Sequence, residues 1–303
     1  MDRREREEEE MGFLQYLING ISIGSVYAII ALGYTMVYGI AKMLNFAHGD
    51  VIMMGAYISF CATNYLNLPV WLAIPMAMLF CTILGIVIEG LAYKPLRGTS
   101  SLAVLITAIG VSYFLQNAAQ LIWGSDIKIF TSVVSWEPIK LFDGQLTITA
   151  EVIVTVIASV LIMIALTLFT GKTKMGKAMR AVSEDREAAQ LMGINVNRTI
   201  STTFAIGSAL AAIAGVLLCS VVSTLQPTTG SMPGIRAFTA AVFGGIGSIP
   251  GAMLGGILLG VIETFAKAYL SSQFSDAIVF LVLIIVLLVK PAGLLGKQIQ
   301  EKV

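Results

Sequence analysis

Apolar residues run along this chain in blocks far longer than the helices of a water-soluble domain, and short polar stretches separate them. A bilayer core about 30 Å thick takes about 20 helical residues to cross. Residues 13–33, 101–123, 152–170 and 201–222 come to about that length without a charge. Residues 70–88 are equally clean, while residues 51–65, 251–262 and 277–289 are apolar but shorter. The pattern predicts an all-α, polytopic membrane protein with about 8–10 transmembrane helices.

Two places interrupt the pattern. Residues 43–50 (MLNFAHGD) put Asn, His, Gly and Asp into apolar sequence, and residues 243–256 (FGGIGSIPGAMLGG) hold six glycines and a proline. Gly and Pro end helices, and non-helical backbone at membrane depth survives only where protein or a water-filled cavity satisfies its polar groups. Broken or re-entrant segments of this kind, one in each half of a chain, point to a transport pathway. The competing reading is that the glycines let helices pack closely, as in Gly251-x-x-x-Gly255. Residues 234–250 either re-enter and return or cross as a short broken helix.

Composition agrees with a membrane protein: 57% of the 303 residues are hydrophobic and 12% are charged, with a net charge of +1 that implies no nucleic-acid partner. Placement of the charges says more. Lys94 and Arg97, the group Lys172, Lys174, Lys177, Arg180, Arg186 and Arg198, and Lys290, Lys297 and Lys302 all lie between or after apolar runs. Basic loops stay on the cytoplasmic side, so these segments share that face and residues 124–149 fall on the opposite one. Residues 1–11 are a charged extension expected to be without structure, with Met11 resembling a natural start. Residues 12–303 form a single transmembrane domain. The apolar stretch 12–41 is too long for the core of a cleavable signal peptide. Cys61, Cys81 and Cys219 sit in apolar runs, form no CxxC pair and read as small packing residues; no metal or other cofactor is expected.

The most polar internal stretch is KTKMGKAMRAVSEDREAAQLMGINVNRT, residues 172–199, within a cytoplasmic loop spanning 171–200. At helical spacing Ala178, Ala181, Val182, Ala189 and Met192 form an apolar seam interrupted by Asp185. Arg180 and Glu184 make an i,i+4 pair and Gly193 supplies a stop. The stretch therefore predicts one short cytoplasmic helix, too weakly apolar to stand alone. It either lies on the headgroups or docks into a partner.

Ionisable and polar groups at membrane depth are candidate pathway contacts. They are Asn45, His48 and Asp50 in the first broken segment, Thr107 and Gln116 on the charge-free span, and Thr239, Gly244, Gly245 and Gly247 in and before the second. Asp50 could equally cap the helix that follows. Glu263 and Lys267 read as a helix-surface pair, and Glu263 and Asp276 as boundary charges that snorkel or pair. Glu89, Lys94 and Arg97 read as an interfacial cluster.

The heptad EAAQLMG, Glu187–Gly193, resembles the coupling-helix signature of ABC importer permeases. With residues 17–57 (LINGISIGSVYAIIALGYTMVYGIAKMLNFAHGDVIMMGAY), 176–198 and 234–263, it is similar to the branched-chain amino acid ABC permease family of the LivH type. The Ile and Leu-Pro that end the usual signature are not evident. The resemblance implies a subunit of the bacterial inner membrane, translocating leucine, isoleucine and valine. It implies a second permease, two cytoplasmic ATPases and a periplasmic solute-binding protein as partners, with Arg180, Glu184, Asp185, Glu187, Ala188, Ala189 and Gly193 as coupling residues. A same-family permease for urea, amides or another small solute is the alternative. A self-sufficient channel or ion-coupled carrier has no need of a docking helix. The chain carries no Gly-x4-Gly-Lys-[Ser/Thr] phosphate loop, no HExxH and no serine–histidine arrangement, so it is not expected to be an enzyme.

Overall fold

The computed structural model describes residues 3–134, 136–142 and 146–296. The helices, in chain order, are α1 (Arg3–Ala41), α2 (His48–Asn64), α3 (Val70–Ile88), α4 (Ser101–Trp123), α5 (Ala150–Lys172), α6 (Lys174–Glu184) and α7 (Arg186–Leu191). They continue with α8 (Val196–Val222), α9 (Ser231–Gly244), α10 (Ile249–Tyr269) and α11 (Ser275–Val289). A π-helical turn (Glu89–Tyr93) and a 3-10 turn (Lys94–Leu96) follow α3. Two small antiparallel ladders pair β1 (Lys128–Ile129) with β4 (Thr224–Leu225) and β2 (Ile139–Leu141) with β3 (Leu146–Ile148).

Among the described residues six helices are long and apolar enough to cross a membrane: α1, α3, α4, α5, α8 and α10. The shorter α2, α9 and α11, of 17, 14 and 15 residues, carry the chain back and forth between them. Two contacts orient α1. Arg186, in the basic loop, donates to the carbonyl of Ala41 at its end, and Gln15 near its start exchanges hydrogen bonds of 3.0 and 2.9 Å with Thr147 of β3. The face with the basic loops, called inner here, thus receives the end of α1, and β1, β2 and β3 lie on the outer face. The broken segment 234–250 resolves as α9 and a turn, so α8, α9, α10 and α11 make four passes between inner-face ends at Thr199 and Lys290. The helix α1 begins at Arg3, so it takes in Arg3–Glu10. Glu and Arg are good helix formers, and residues that prolong an existing helix meet no nucleation barrier.

The interior is built from small and hydroxyl residues and the exterior from large apolar ones, the arrangement expected where lipid surrounds the bundle. Phe114, Leu79, Leu121 and Leu161 point outward, while Ser25, Ser59, Thr155 and Thr203 are fully buried. Without water to squeeze them together, membrane helices associate by close van der Waals contact. One such contact joins α1 to α10: a Cβ on Gly260 would lie 2.2 Å from the Cα of Gly24, and one on Gly256 2.4 Å from the Ala28 amide nitrogen. Gly251 and Gly255 likewise seat α10 on α9, against Gly244 and Ala240, so those glycines serve packing.

The two halves of the chain use the same device in opposite directions. Ending at the inner face, α1 is followed by a non-helical segment and the outward-running α2; α8 ends at the outer face and is followed by a non-helical segment and the inward-running α9. Such inverted pairs of discontinuous helices place their breaks together within the membrane.

Candidate translocation site and coupling surface

At the break, α2 and α9 begin side by side. Gly49 and Gly230 meet backbone to backbone: a Cβ on Gly49 would lie 2.6 Å from the Gly230 carbonyl oxygen, and one on Gly234 2.9 Å from the Gly49 Cα. Each helix start presents N–H groups without helical partners and the positive end of its dipole. Asp50, in the first turn of α2 and only 1% exposed, answers that field with a carboxylate. Its Oδ1 accepts a 2.9 Å hydrogen bond from Gln116 Nε2 on α4, and the same nitrogen lies 3.2 Å from Ser231 Oγ on α9 and 3.3 Å from Ser112 Oγ. Asp50 and Gln116, two of the sequence-predicted candidates, therefore come together, and Ser112 and Ser231 join them. The expected capping by Asp50 is absent: α2 has Ala47 at its N-cap and no side-chain cap bond, because the carboxylate is engaged across the helix interface.

Asn45 is buried and accepts a 2.8 Å hydrogen bond from the Tyr93 hydroxyl in the π-helical turn. His48 turns the other way, onto α1. Its ring lies 4.6 Å from that of Tyr34 and its Nε2, without a hydrogen-bond partner, faces Gly33. Thr107 does not join the cluster: nine residues before Gln116, it is about two and a half turns away and on the opposite side of α4. Thr239 is buried with its hydroxyl bonded 3.0 Å to the Ile235 carbonyl of its own helix. Gly244, Gly245 and Gly247 lie at the inner end of α9, where Gly245 (φ +105°) and Gly247 (φ +91°) take backbone conformations that a side chain disfavours. They form the α9–α10 turn, packed on Gly251, Gly296 and Gly39, away from Asp50.

A second buried cluster escaped the sequence reading. Arg236 of α9 pairs with Glu263 of α10 at 2.7 Å and with Asp276 of α11 at 2.6 Å, and donates to the Tyr27 hydroxyl of α1 at 3.0 Å. Lys267 also reaches Glu263, at 2.5 Å. The pair Glu263–Lys267 is present as expected, but Glu263 is fully buried, which corrects its assignment to the helix surface. The signal available was Arg236 itself, the one cation between Thr199 and Ala266; a lone arginine in apolar sequence requires a buried acid. Near the inner face Arg97 pairs with the buried Glu89, whose other oxygen accepts from Ser201 at 2.6 Å, and Arg97 also donates to Asn197. The interfacial cluster thus fastens the turns after α3 to the start of α8.

The charged stretch forms two helices where one was expected. Asp185 breaks the helix and caps the next, accepting from the amides of Glu187 (2.9 Å) and Ala188 (3.0 Å), which competes with continuing the helix through it. Met179, Val182 and Ala189 face the bundle, with Ala178 and Ala181 half-buried, while Met192, expected in the seam, is 82% exposed. Arg180 donates to the Gly171 carbonyl at 3.2 Å rather than to Glu184. Gly193 ends α7 at φ +80° as expected. Glu184, Asp185, Glu187, Ala188, Gln190, Leu191 and Met192 form an exposed surface, with Leu191 88% accessible. Among the described residues no group of three or more metal-ligating side chains occurs.

The fold and these sites define a multi-pass α-helical membrane protein with a discontinuous polar site at depth and an apolar knob on a polar inner loop. A family model described as "Branched-chain amino acid transport system / permease component" matches residues 16–287. The chain is 46% identical over 306 aligned positions to the high-affinity branched-chain amino acid transport system permease protein LivH of Salmonella typhimurium, covering 98% of this chain and 99% of that one. It is 45% identical to the corresponding permease protein BraD of Pseudomonas aeruginosa, over 96% and 98% of the two chains. A ribose import permease protein of Haemophilus influenzae is 27% identical over 82% of this chain and 76% of its own. The chain belongs to the branched-chain amino acid transport permease family. It is accordingly a transport permease component.

Proposed function

We propose that this chain is the membrane-spanning permease subunit of an ATP-driven importer that carries leucine, isoleucine and valine across the bacterial inner membrane. Its identity of 46% over nearly full length to a permease of that printed description carries the assignment. The partners are a second permease of the same family, two cytoplasmic ATPases and a periplasmic solute-binding protein. The inner loop supports this: α6 and α7 hold Leu191 and Met192 clear of the bundle, and an exposed apolar pair on a charged cytoplasmic loop is a surface for a protein cleft.

A zwitterion with an aliphatic side chain needs a counter-charge and a hydrogen-bonding surround. The Asp50 carboxylate, beside Gln116, Ser112 and Ser231 at the junction of α2 and α9, offers the first to the α-ammonium group. The paired helix starts offer N–H groups to the α-carboxylate. The Gly49–Gly230 contact closes the space between the two breaks, and separation of α2 from α9 opens it. Selectivity is shared with the binding protein that delivers the solute.

Uptake in cells lacking their own branched-chain importers tests the substrate. Expression of the chain with its partners should restore uptake of radiolabelled leucine, isoleucine and valine. Restored uptake of ribose or urea, with none of these three, overturns the substrate assignment.

A further inference from the structure

We propose that Arg186 is the positioning residue through which the ATPase-facing helix moves the broken segment leading to Asp50. This rests on the permease reading above. The side chains of α7 divide by direction. Glu187, Ala188, Gln190 and Leu191 are exposed, whereas Arg186 is half-buried and reaches into the bundle, where Nη2 donates to the carbonyl of Ala41.

Ala41 is the last residue of α1, so its carbonyl lies at the negative end of the helix dipole and has no helical acceptor role left to fill. A simple cap would end there. Here the next residue, Lys42, adopts φ +50°, the left-handed region that non-glycine residues rarely occupy, and turns the chain back toward the membrane interior. Three residues on, Asn45 is held by Tyr93, and α2 begins at His48 with Asp50 in its first turn.

The two attachments differ in what stands behind them. Tyr93 is fully buried, in the turn that Glu89, Arg97, Ser201 and Asn197 fasten to α8. Arg186 belongs to a six-residue helix whose outer side is free for a partner. Residues 42–47 therefore run between a fixed point and a movable one. Displacement of α7 by the ATPase shifts Ala41 relative to Tyr93, and the difference must be taken up in residues 42–47 and in the seat of α2. The bond from Arg186 is what carries the displacement; without it α7 moves and the broken segment stays.

The test uses the complete transporter in proteoliposomes with leucine-loaded binding protein, comparing wild type, Arg186→Gln, Arg186→Lys and Tyr93→Phe. Leucine accumulated per ATP hydrolysed is read from assembled complexes only, and hydrogen–deuterium exchange of residues 42–47 is followed with and without ATP. Arg186→Gln and Tyr93→Phe are each expected to lower the transport-to-hydrolysis ratio at least tenfold. Arg186→Gln should also abolish the ATP-dependent change in exchange. Arg186→Lys, whose ammonium keeps nearly the reach of the guanidinium to the Ala41 carbonyl, should recover at least half of the wild-type ratio, whereas the glutamine amide, two atoms shorter, falls short of it. A ratio within twofold of wild type in Arg186→Gln, or an unchanged ATP response of residues 42–47, overturns the proposal. Equal loss of uptake and hydrolysis in the assembled Arg186→Gln complex also overturns it, since that marks a capping role alone. Failure of the wild-type complex to accumulate leucine overturns the permease reading instead.

Discussion

Replacing Glu263 with glutamine removes one charge from the buried cluster while keeping its shape. In the native chain Arg236 and Lys267 face Glu263 and Asp276, two cations against two anions. After the change Arg236 retains Asp276 at 2.6 Å and Tyr27 at 3.0 Å, but its fully buried anionic partner at 2.7 Å becomes a neutral amide. Lys267 loses its 2.5 Å carboxylate, yet its side chain is 38% exposed and can turn to water or headgroups. Removing one partner of a buried ion pair costs about 3–5 kcal/mol. Because Asp276 still neutralises Arg236, the expected loss sits at the lower end, about 3 kcal/mol, on the order of a hundredfold in the unfolding equilibrium. Unfolding in mixed micelles at increasing SDS fraction, followed by circular dichroism, measures it. The double variant Arg236→Met/Glu263→Gln leaves only the partly exposed Asp276 and Lys267, and should lose less than the sum of the single variants by at least about 1 kcal/mol. A Glu263→Gln chain within about 0.5 kcal/mol of wild type, or strictly additive losses, refutes the claim that this cluster locks α9, α10 and α11 together.

Three further outcomes are expected. Leu191→Ser/Met192→Ser should change stability by less than about 0.5 kcal/mol, since both side chains are exposed, but should abolish co-purification of the ATPase subunits; retained binding contradicts the docking surface. Gly260→Val should prevent accumulation of folded protein, because its Cβ would meet the Gly24 backbone at 2.2 Å, as read from membrane yield and monodispersity on size exclusion. Asp50→Asn should leave yield unchanged and lower leucine uptake at least tenfold; uptake at the wild-type rate excludes the carboxylate from the pathway.

Much of this architecture was legible in the chain. Residues 101–123 read as a span and form α4 with the same bounds, because an uninterrupted apolar run of that length has one stable solution in lipid. The first broken segment was also visible, through Asn45, His48 and Asp50. Its partner was not: the glycines around Gly245 form the inner-face turn between α9 and α10, and the break that meets α2 lies at residues 223–230. Periodicity describes one helix at a time, whereas Gly49 touches Gly230 across 181 residues of chain. For the same reason Gln116 could be named as polar but not as the partner of Asp50, and Ser231 could not be named at all. Arg236 was passed over because a single charge looks like a boundary residue until its acids on α10 and α11 are seen. In the charged stretch, helical spacing put Met192 in the seam, but the break at Asp185 resets the phase of α7 and turns Met192 outward. Local hydrogen-bonding chemistry there outweighs the apolar pattern.

The most direct measurement is leucine accumulation in proteoliposomes, made once with this chain alone and once with the second permease, the ATPases and the loaded binding protein. Accumulation against a gradient only in the complete assembly, and only with ATP, is the expected result. Leucine movement by the chain alone at the same rate, with or without ATP, contradicts it.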